Sequence, residues 1–143
     1  MICSHHLQRV HLPSGISVYC SSLDRHQSID NPDFGLYLDF AWRPSWRNEF
    51  IDWPDFQTPT NEAVAFKQIT GLYQLASNRY TVEIGCLGGH GRTGTVLACL
   101  VLLDDRSKEP ASAIAFARET YCDRAIETSQ QEQFVSRFAE AMR

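Results

Sequence analysis

The run Cys86-Leu87-Gly88-Gly89-His90-Gly91-Arg92-Thr93-Gly94 sets a potential nucleophile, several glycines and a guanidinium within one short stretch. Gly88, Gly89 and Gly91 allow positive φ angles and leave the backbone bare, so successive N–H groups can turn into one concavity. A helix beginning there adds its own unpaired N–H groups and the positive end of its dipole. Such a nest suits a tetrahedral oxyanion, and Arg92 offers a planar fork for two of its oxygens. The same field would pull the Cys86 thiol below its free value of about 8.5 and make it a thiolate at neutral pH. The Thr93 hydroxyl is placed to bond that sulfur and make it a better leaving group.

Simpler readings compete. A cysteine ending a buried strand is usually an inert small hydrophobe. A glycine-rich turn between strand and helix equally fits nucleotide binding or mere tightness, and Cys followed six positions later by Arg is weak evidence. The complete string in a strand–loop–helix context is far more specific.

Upstream lies Trp53-Pro54-Asp55, followed by Phe56 and then Pro59. By itself it reads as a turn, with Pro fixing φ and Trp as an anchor. Near the C-terminus, Thr128 and Gln131 have the spacing of a capping box.

These groups need a scaffold. The chain has 143 residues, 43% hydrophobic and 21% charged, as expected of one globular domain spanning residues 1–143. Its net charge of −4 provides no general attraction for nucleic acid or anionic lipid. Met1 to Val10 is polar and unlike a signal peptide, and Val96–Leu103 is too short to span a bilayer. Cysteines at 3, 20, 86, 99 and 122 are odd in number and lack metal-ligand spacing. Together these features predict a cytoplasmic protein with reduced thiols.

Ile16–Cys20 reads as a strand after the turn Pro13-Ser14-Gly15, and Phe34 to Trp42 alternates with period two. Another short strand is expected within Glu49–Trp53. Thr60 is expected to cap a helix presenting Phe66, Ile69, Tyr73 and Ala76 on one face. Tyr80, Val82 and Ile84 alternate in a strand that leads into the glycine-rich loop, and a buried helix follows from Thr93 to Leu103. Pro110 opens the next helix, which carries Ala113, Ile114, Phe116 and Ala117. The last helix starts near Thr128 and buries Phe134, Val135, Phe138 and Met142. This order predicts an α/β sandwich with Tyr80–Ile84 as a central strand.

Cys-x-x-Gly-x-Gly-Arg-Thr-Gly resembles the phosphate-binding loop of the protein tyrosine phosphatase superfamily, compact dual-specificity members included. The resemblance runs from about Phe34 to the C-terminus. It implies a central, mostly parallel sheet flanked by helices, with the phosphate-binding loop between a central strand and a buried helix. It also implies metal-free, cofactor-free hydrolysis of phosphomonoesters through a phosphocysteine. Cys86, Arg92 and Thr93 would be catalytic, and Leu87, Gly88, Gly89, His90, Gly91 and Arg92 would bind the phosphate. The Trp-Pro-Asp tripeptide matches the family's mobile loop, which makes Asp55 the general acid. Gln131, or else Gln130, would position the hydrolytic water, with plain capping as the rival role.

One departure is Gly85, where a histidine commonly precedes the cysteine. Its absence removes one influence on the thiolate. His90 either compensates electrostatically or lines the pocket mouth. The implied partner is a phosphorylated protein, with phosphotyrosine as the default and phosphoserine or phosphothreonine as extensions. A 5′-phosphorylated RNA is the runner-up substrate. A catalytically weak phospho-binding module, and a sulfur-transfer or arsenate-reducing protein, are rivals from other classes.

His5, His6, His11 and His26 read as surface residues. Trp42-Arg43-Pro44-Ser45-Trp46-Arg47 reads as a loop beside the active site, where Arg43 or Arg47 could meet a charged substrate. Cys3, Cys20, Cys99 and Cys122 are expected to be buried or inert, unless one forms a disulfide with Cys86 on oxidation.

Overall fold

The computed structural model describes residues 8–22, 31–39, 44–86 and 90–142. Five strands form one sheet in the order β1-β2-β5-β3-β4: β1 is Gln8–His11, β2 Ser17–Ser22, β3 Phe34–Tyr37, β4 Asn48–Phe50 and β5 Val82–Cys86. Only the β1–β2 hairpin is antiparallel, and β5 lies parallel between β2 and β3. Among the described residues four helices complete the fold: α1 (Glu62–Ser77), α2 (Gly91–Asp104), α3 (Pro110–Thr120) and α4 (Ser129–Ala141). The expected α/β architecture with a central, mostly parallel sheet is the observed one.

A central parallel strand has no wet face, and all five residues of β5 are buried. Buried β3 likewise shows that its period-two pattern did not mark an exposed face. The helix α2 is the hub of the helical layer. It packs on α1, α3 and α4 and against β5, and every residue from Gly91 to Leu103 is buried. A helix apolar on all sides needs such an environment.

Several boundaries differ from expectation. The first strand, β1, was not foreseen, because an edge hairpin strand with polar residues carries little hydrophobic signal. Asn61, not Thr60, caps α1: its side chain accepts the Val64 N–H, while the Thr60 hydroxyl bonds the Asp52 carboxylate at 2.9 Å. The buried face of α1 is Ala65, Ile69, Leu72 and Ala76, turned from the expected stripe so that Phe66 and Tyr73 are only partly covered. Tyr80 lies before β5 and is 52% exposed. The helices at Pro110 and Thr128 begin as expected.

Cys20 and Cys99 are buried free thiols, as anticipated, but Cys122 is disulfide-bonded, which corrects the expectation of uniformly reduced cysteines. An odd count at scattered spacings carried no information about pairing. His11 is exposed. Cys3, His5, His6, His26, Trp42 and Arg43 lie outside the described residues.

Candidate active site

The carboxyl end of β5 and the amino end of α2 meet at Cys86, where the sheet delivers the chain into the helix. Cys86 is 1% exposed, and Thr93 Oγ1 donates to its Sγ at 2.9 Å. Thr93 sits in the first turn of α2, so it reaches back over the helix start. Leu87, Gly88 and Gly89 fall outside the described residues. The described part of the loop resumes at His90, the residue before α2.

Arg92 is 4% exposed, an unusual location for a guanidinium. Its Nη1 donates to the Leu38 and Trp53 carbonyls at 2.8 and 2.9 Å. Those bonds fix the plane of the fork and leave Nε and Nη2 buried with no hydrogen-bond partner among the described residues. Asp55 Oδ1 stands 3.5 Å from Nε, and Asp39 Oδ2 4.0 Å from Nη2. Buried guanidinium N–H groups that meet carboxylates only at ion-pair distance, without a hydrogen bond, are costly, and a bidentate oxyanion is the group that satisfies them. The Leu38 peptide also joins the arginine to the cysteine strand, because its N–H donates to the Gly85 carbonyl at 2.8 Å.

Gly85 acquires a structural reason. A Cβ there would lie 3.2 Å from both Ser21 Oγ and the Tyr37 ring. Tyr37 lies across this spot, its hydroxyl donating to the buried Glu83 carboxylate and accepting from Trp46 Nε1 at 2.8 Å. The tyrosine therefore fills the room that a larger side chain before Cys86 would need. Trp46 is the part of the aromatic–basic segment that packs inward, whereas Arg47 is exposed. His90 is buried with Nδ1 3.1 Å from Cys122 Sγ, so its ring faces the segment after α3.

The segment carrying Asp55 is braced from three sides. Arg92 holds the Trp53 carbonyl, and the Trp53 indole donates to the Gln57 carbonyl at 2.6 Å. Trp53 also packs against Phe134 of α4 at 5.2 Å between ring centroids. Asp55 itself is half exposed, its side chain at 46%, and accepts the Phe56 N–H at 3.0 Å. Phe56, at φ 63° and 56% exposed, stands out into solvent beside it.

Gln131 is wholly buried. Its Nε2 donates to the Gln57 carbonyl at 3.1 Å and its Oε1 accepts the Glu127 N–H at 2.8 Å. Only half of the expected capping box forms: Thr128 accepts the Gln131 N–H, but the glutamine side chain reaches the Asp55 segment instead of the Thr128 N–H. Gln130 is exposed. The two candidate glutamines are thus distinguished, since only Gln131 contacts the Asp55 segment.

Glu127 was not singled out from the sequence. Its carboxylate lies against Gly91 at the start of α2, whose N–H favours the charged form. Burial pushes its carboxyl up, and the nearby Asp55 charge pushes it further; Arg124, the Gly91 N–H and Arg92 pull the other way. Ile126 beside it holds a φ of 60°, rare for a β-branched residue. Arg118 fixes that strained turn by donating to the Ala125 and Ile126 carbonyls at 3.0 and 2.8 Å. The turn presses so closely on α2 that a side chain at Gly94 would run into Ala125. The last glycine of the motif is thus needed for packing. Only the pairing Ala125–Glu127 against Gly91–Gly94, a tertiary contact, could have revealed Glu127.

Residues 38–135 match the family described as PTP-SAK, Swiss Army Knife protein, DSP-PTPase phosphatase domain. The chain belongs to this family. It is 35% identical over 114 residues to the uncharacterised protein MJECL20 of Methanocaldococcus jannaschii, covering 72% of this chain and 74% of that one. Among solved structures, kinase associated phosphatase with its catalytic-site cysteine changed to serine superposes with a TM-score of 0.75 at 18% identity, covering 99% and 98% of the two chains. Tk-PTP in its active form gives a TM-score of 0.65 at 22% identity, covering 77% of this chain and 80% of that one. No helix among the described residues of this phosphatase-family protein is long and apolar enough to cross a membrane.

Proposed function

We propose that this protein hydrolyses phosphomonoesters through Cys86, with phosphotyrosine in proteins as its main substrate. The observation that carries the reading is Arg92. It is a buried guanidinium whose Nε and Nη2 face the Asp55 and Asp39 carboxylates at ion-pair distance without a hydrogen bond, set on the same helix turn as the hydroxyl that bonds the Cys86 sulfur.

The first step is attack by the Cys86 thiolate on phosphorus, forming the S–P bond as the bond to the ester oxygen breaks. Arg92 Nε and Nη2 and the loop amides of Leu87 to Arg92 hold the equatorial oxygens as charge spreads over them. Asp55 supplies the proton to the departing oxygen. Its half-exposed position near Arg92 Nε keeps it within reach of a phosphate held there. Water then attacks phosphorus, Asp55 takes the proton from that water, and the sulfur leaves as a thiolate. The Thr93 hydroxyl stabilises the leaving sulfur, because a hydrogen bond to a charged group favours that charge. Gln131 serves this step by holding the Gln57 carbonyl and so the Asp55 segment. The Glu127 carboxylate stands close to Gly91, one of the residues assigned to the phosphate.

Cys86→Ser decides the matter. Turnover of p-nitrophenyl phosphate and of phosphotyrosine peptide should vanish while phosphate binding persists. Retained turnover would sink the proposal, and thiosulfate turnover without phosphatase activity would transfer the chain to sulfur chemistry.

A further inference from the structure

Beside Arg92 lies a cleft of about 270 Å³ whose charge is opposite to that of the phosphate site. It is lined by Leu38, Asp39, Phe50, Asp52, Trp53, Pro54, Asp55 and Arg92. At the Arg92 end, the unbonded Nε and Nη2 call for an anion. Asp39 stands at that end too, its Oδ2 4.0 Å from Nη2, while Asp52 lies farther along the cleft with the half-buried Phe50 and Pro54, so three aspartates face one arginine. These aspartates do not close on a metal-sized point: no group of three acidic, His or Cys side chains among the described residues could hold an ion. Asp52 is also oriented, since the Thr60 hydroxyl donates to its Oδ2 at 2.9 Å.

We infer that this cleft receives a basic side chain next to the phosphorylated residue, so that the preferred substrate is a phosphorylated polypeptide with Lys or Arg beside its phosphate. The inference rests on the phosphatase reading above and adds the substrate's flanking sequence. A lysine or arginine fits both parts of the cleft, its apolar stem along Phe50 and Pro54 and its cation at the aspartates. The volume lies below the roughly 300–1,000 Å³ of an ordinary small-molecule site and suits one side chain. On the other side of Asp55, Arg118 and Arg124 are mixed with Asp123 and Glu127, so that flank selects no sign of charge. A strand of nucleic acid would lay its next phosphate against Asp39 or Asp52, and the chain's net charge of −4 adds to that repulsion.

The test uses phosphotyrosine peptides of equal length with Lys/Arg, Ala or Glu/Asp flanks, a 5′-phosphorylated RNA oligonucleotide, and p-nitrophenyl phosphate as the flank-free control. At low salt the basic peptide should exceed the acidic one in kcat/KM by roughly three- to thirtyfold, carried by KM and shrinking as salt screens the pairs. Asp52→Lys should bring that ratio to one or below. The same ratio should appear in the peptide Kd values of the Cys86→Ser protein, a readout independent of turnover. A ratio of one or less in the unmodified protein, with p-nitrophenyl phosphate hydrolysed, overturns the basic flank alone. RNA turned over faster than the basic peptide also overturns it. If no substrate is hydrolysed, the phosphatase reading fails, and the Kd ratio still decides the cleft.

Discussion

Cys86 and Cys99 lie at the two sides of one physical contrast. Both are buried cysteines outside any disulfide, one just before α2 and one in its middle. Cys99 belongs to the hydrophobic core, and burial pushes its thiol well above the ordinary value. Cys20, on the strand beside β5, is pushed up too, by burial first and then by the Cys86 and Glu83 charges. Cys86 is no better solvated. What sets it apart is the Thr93 hydroxyl at 2.9 Å, the start of α2 and the Arg92 fork. Burial alone makes a thiol inert; the proposed nucleophile differs in having a hydroxyl donor on its sulfur at the start of a helix.

The largest expected effect beyond the cysteine itself is at Asp55. Asp55→Ala should lower kcat roughly 10²- to 10⁴-fold for phosphotyrosine, the usual range for a lost general acid. The loss should shrink with esters whose leaving groups need no proton. Equal losses across leaving groups would remove Asp55 from that role.

A smaller effect is expected where the two thiols differ most directly. Thr93→Val leaves Cys86 as buried as before but takes away its hydroxyl donor, bringing it closer to Cys99. Breakdown of the phosphocysteine should slow roughly tenfold, seen as a larger burst of p-nitrophenol before a slower steady state. Thr93→Ser should restore the rate. An unchanged burst in the valine variant would mean that the hydroxyl is only structural.

The smallest effect concerns Glu127. A carboxyl whose folded pKa is raised contributes stability that is complete below its unfolded pKa and is lost as pH rises through the folded one. Its raised carboxyl therefore weakens the fold at neutral pH relative to acid. Glu127→Gln should raise Tm at pH 7 and change it less, or lower it, near pH 4. A gain larger in acid would contradict the assigned environment.

What the sequence disclosed followed local rules. The buried β5 and α2 were readable from hydrophobic pattern, and Pro110 and Thr128 from helix-start chemistry. Cys86, Arg92, Thr93 and Asp55 stood out because motif spacing is itself local. The missing parts depend on contacts between distant segments. Glu127 matters only because the Ala125–Ile126 turn is pressed against Gly94. Gln131 looked like half of a capping box, yet its amide braces Gln57 across the molecule. Asn61 displaced Thr60 as a cap because Asp52 engages the threonine. Gly85 could be read only as a lost histidine until Tyr37 was seen to occupy the space beside it.

The central claim is that phosphate passes through the Cys86 sulfur. Rapid acid quench of the protein turning over p-nitrophenyl phosphate, followed by peptide mapping, tests it most directly. The expected result is one phosphoryl group on the peptide containing Cys86 and none on those containing Cys20 or Cys99. Turnover with the label on another residue, or with no phosphorylated peptide despite a burst of product, would contradict the account.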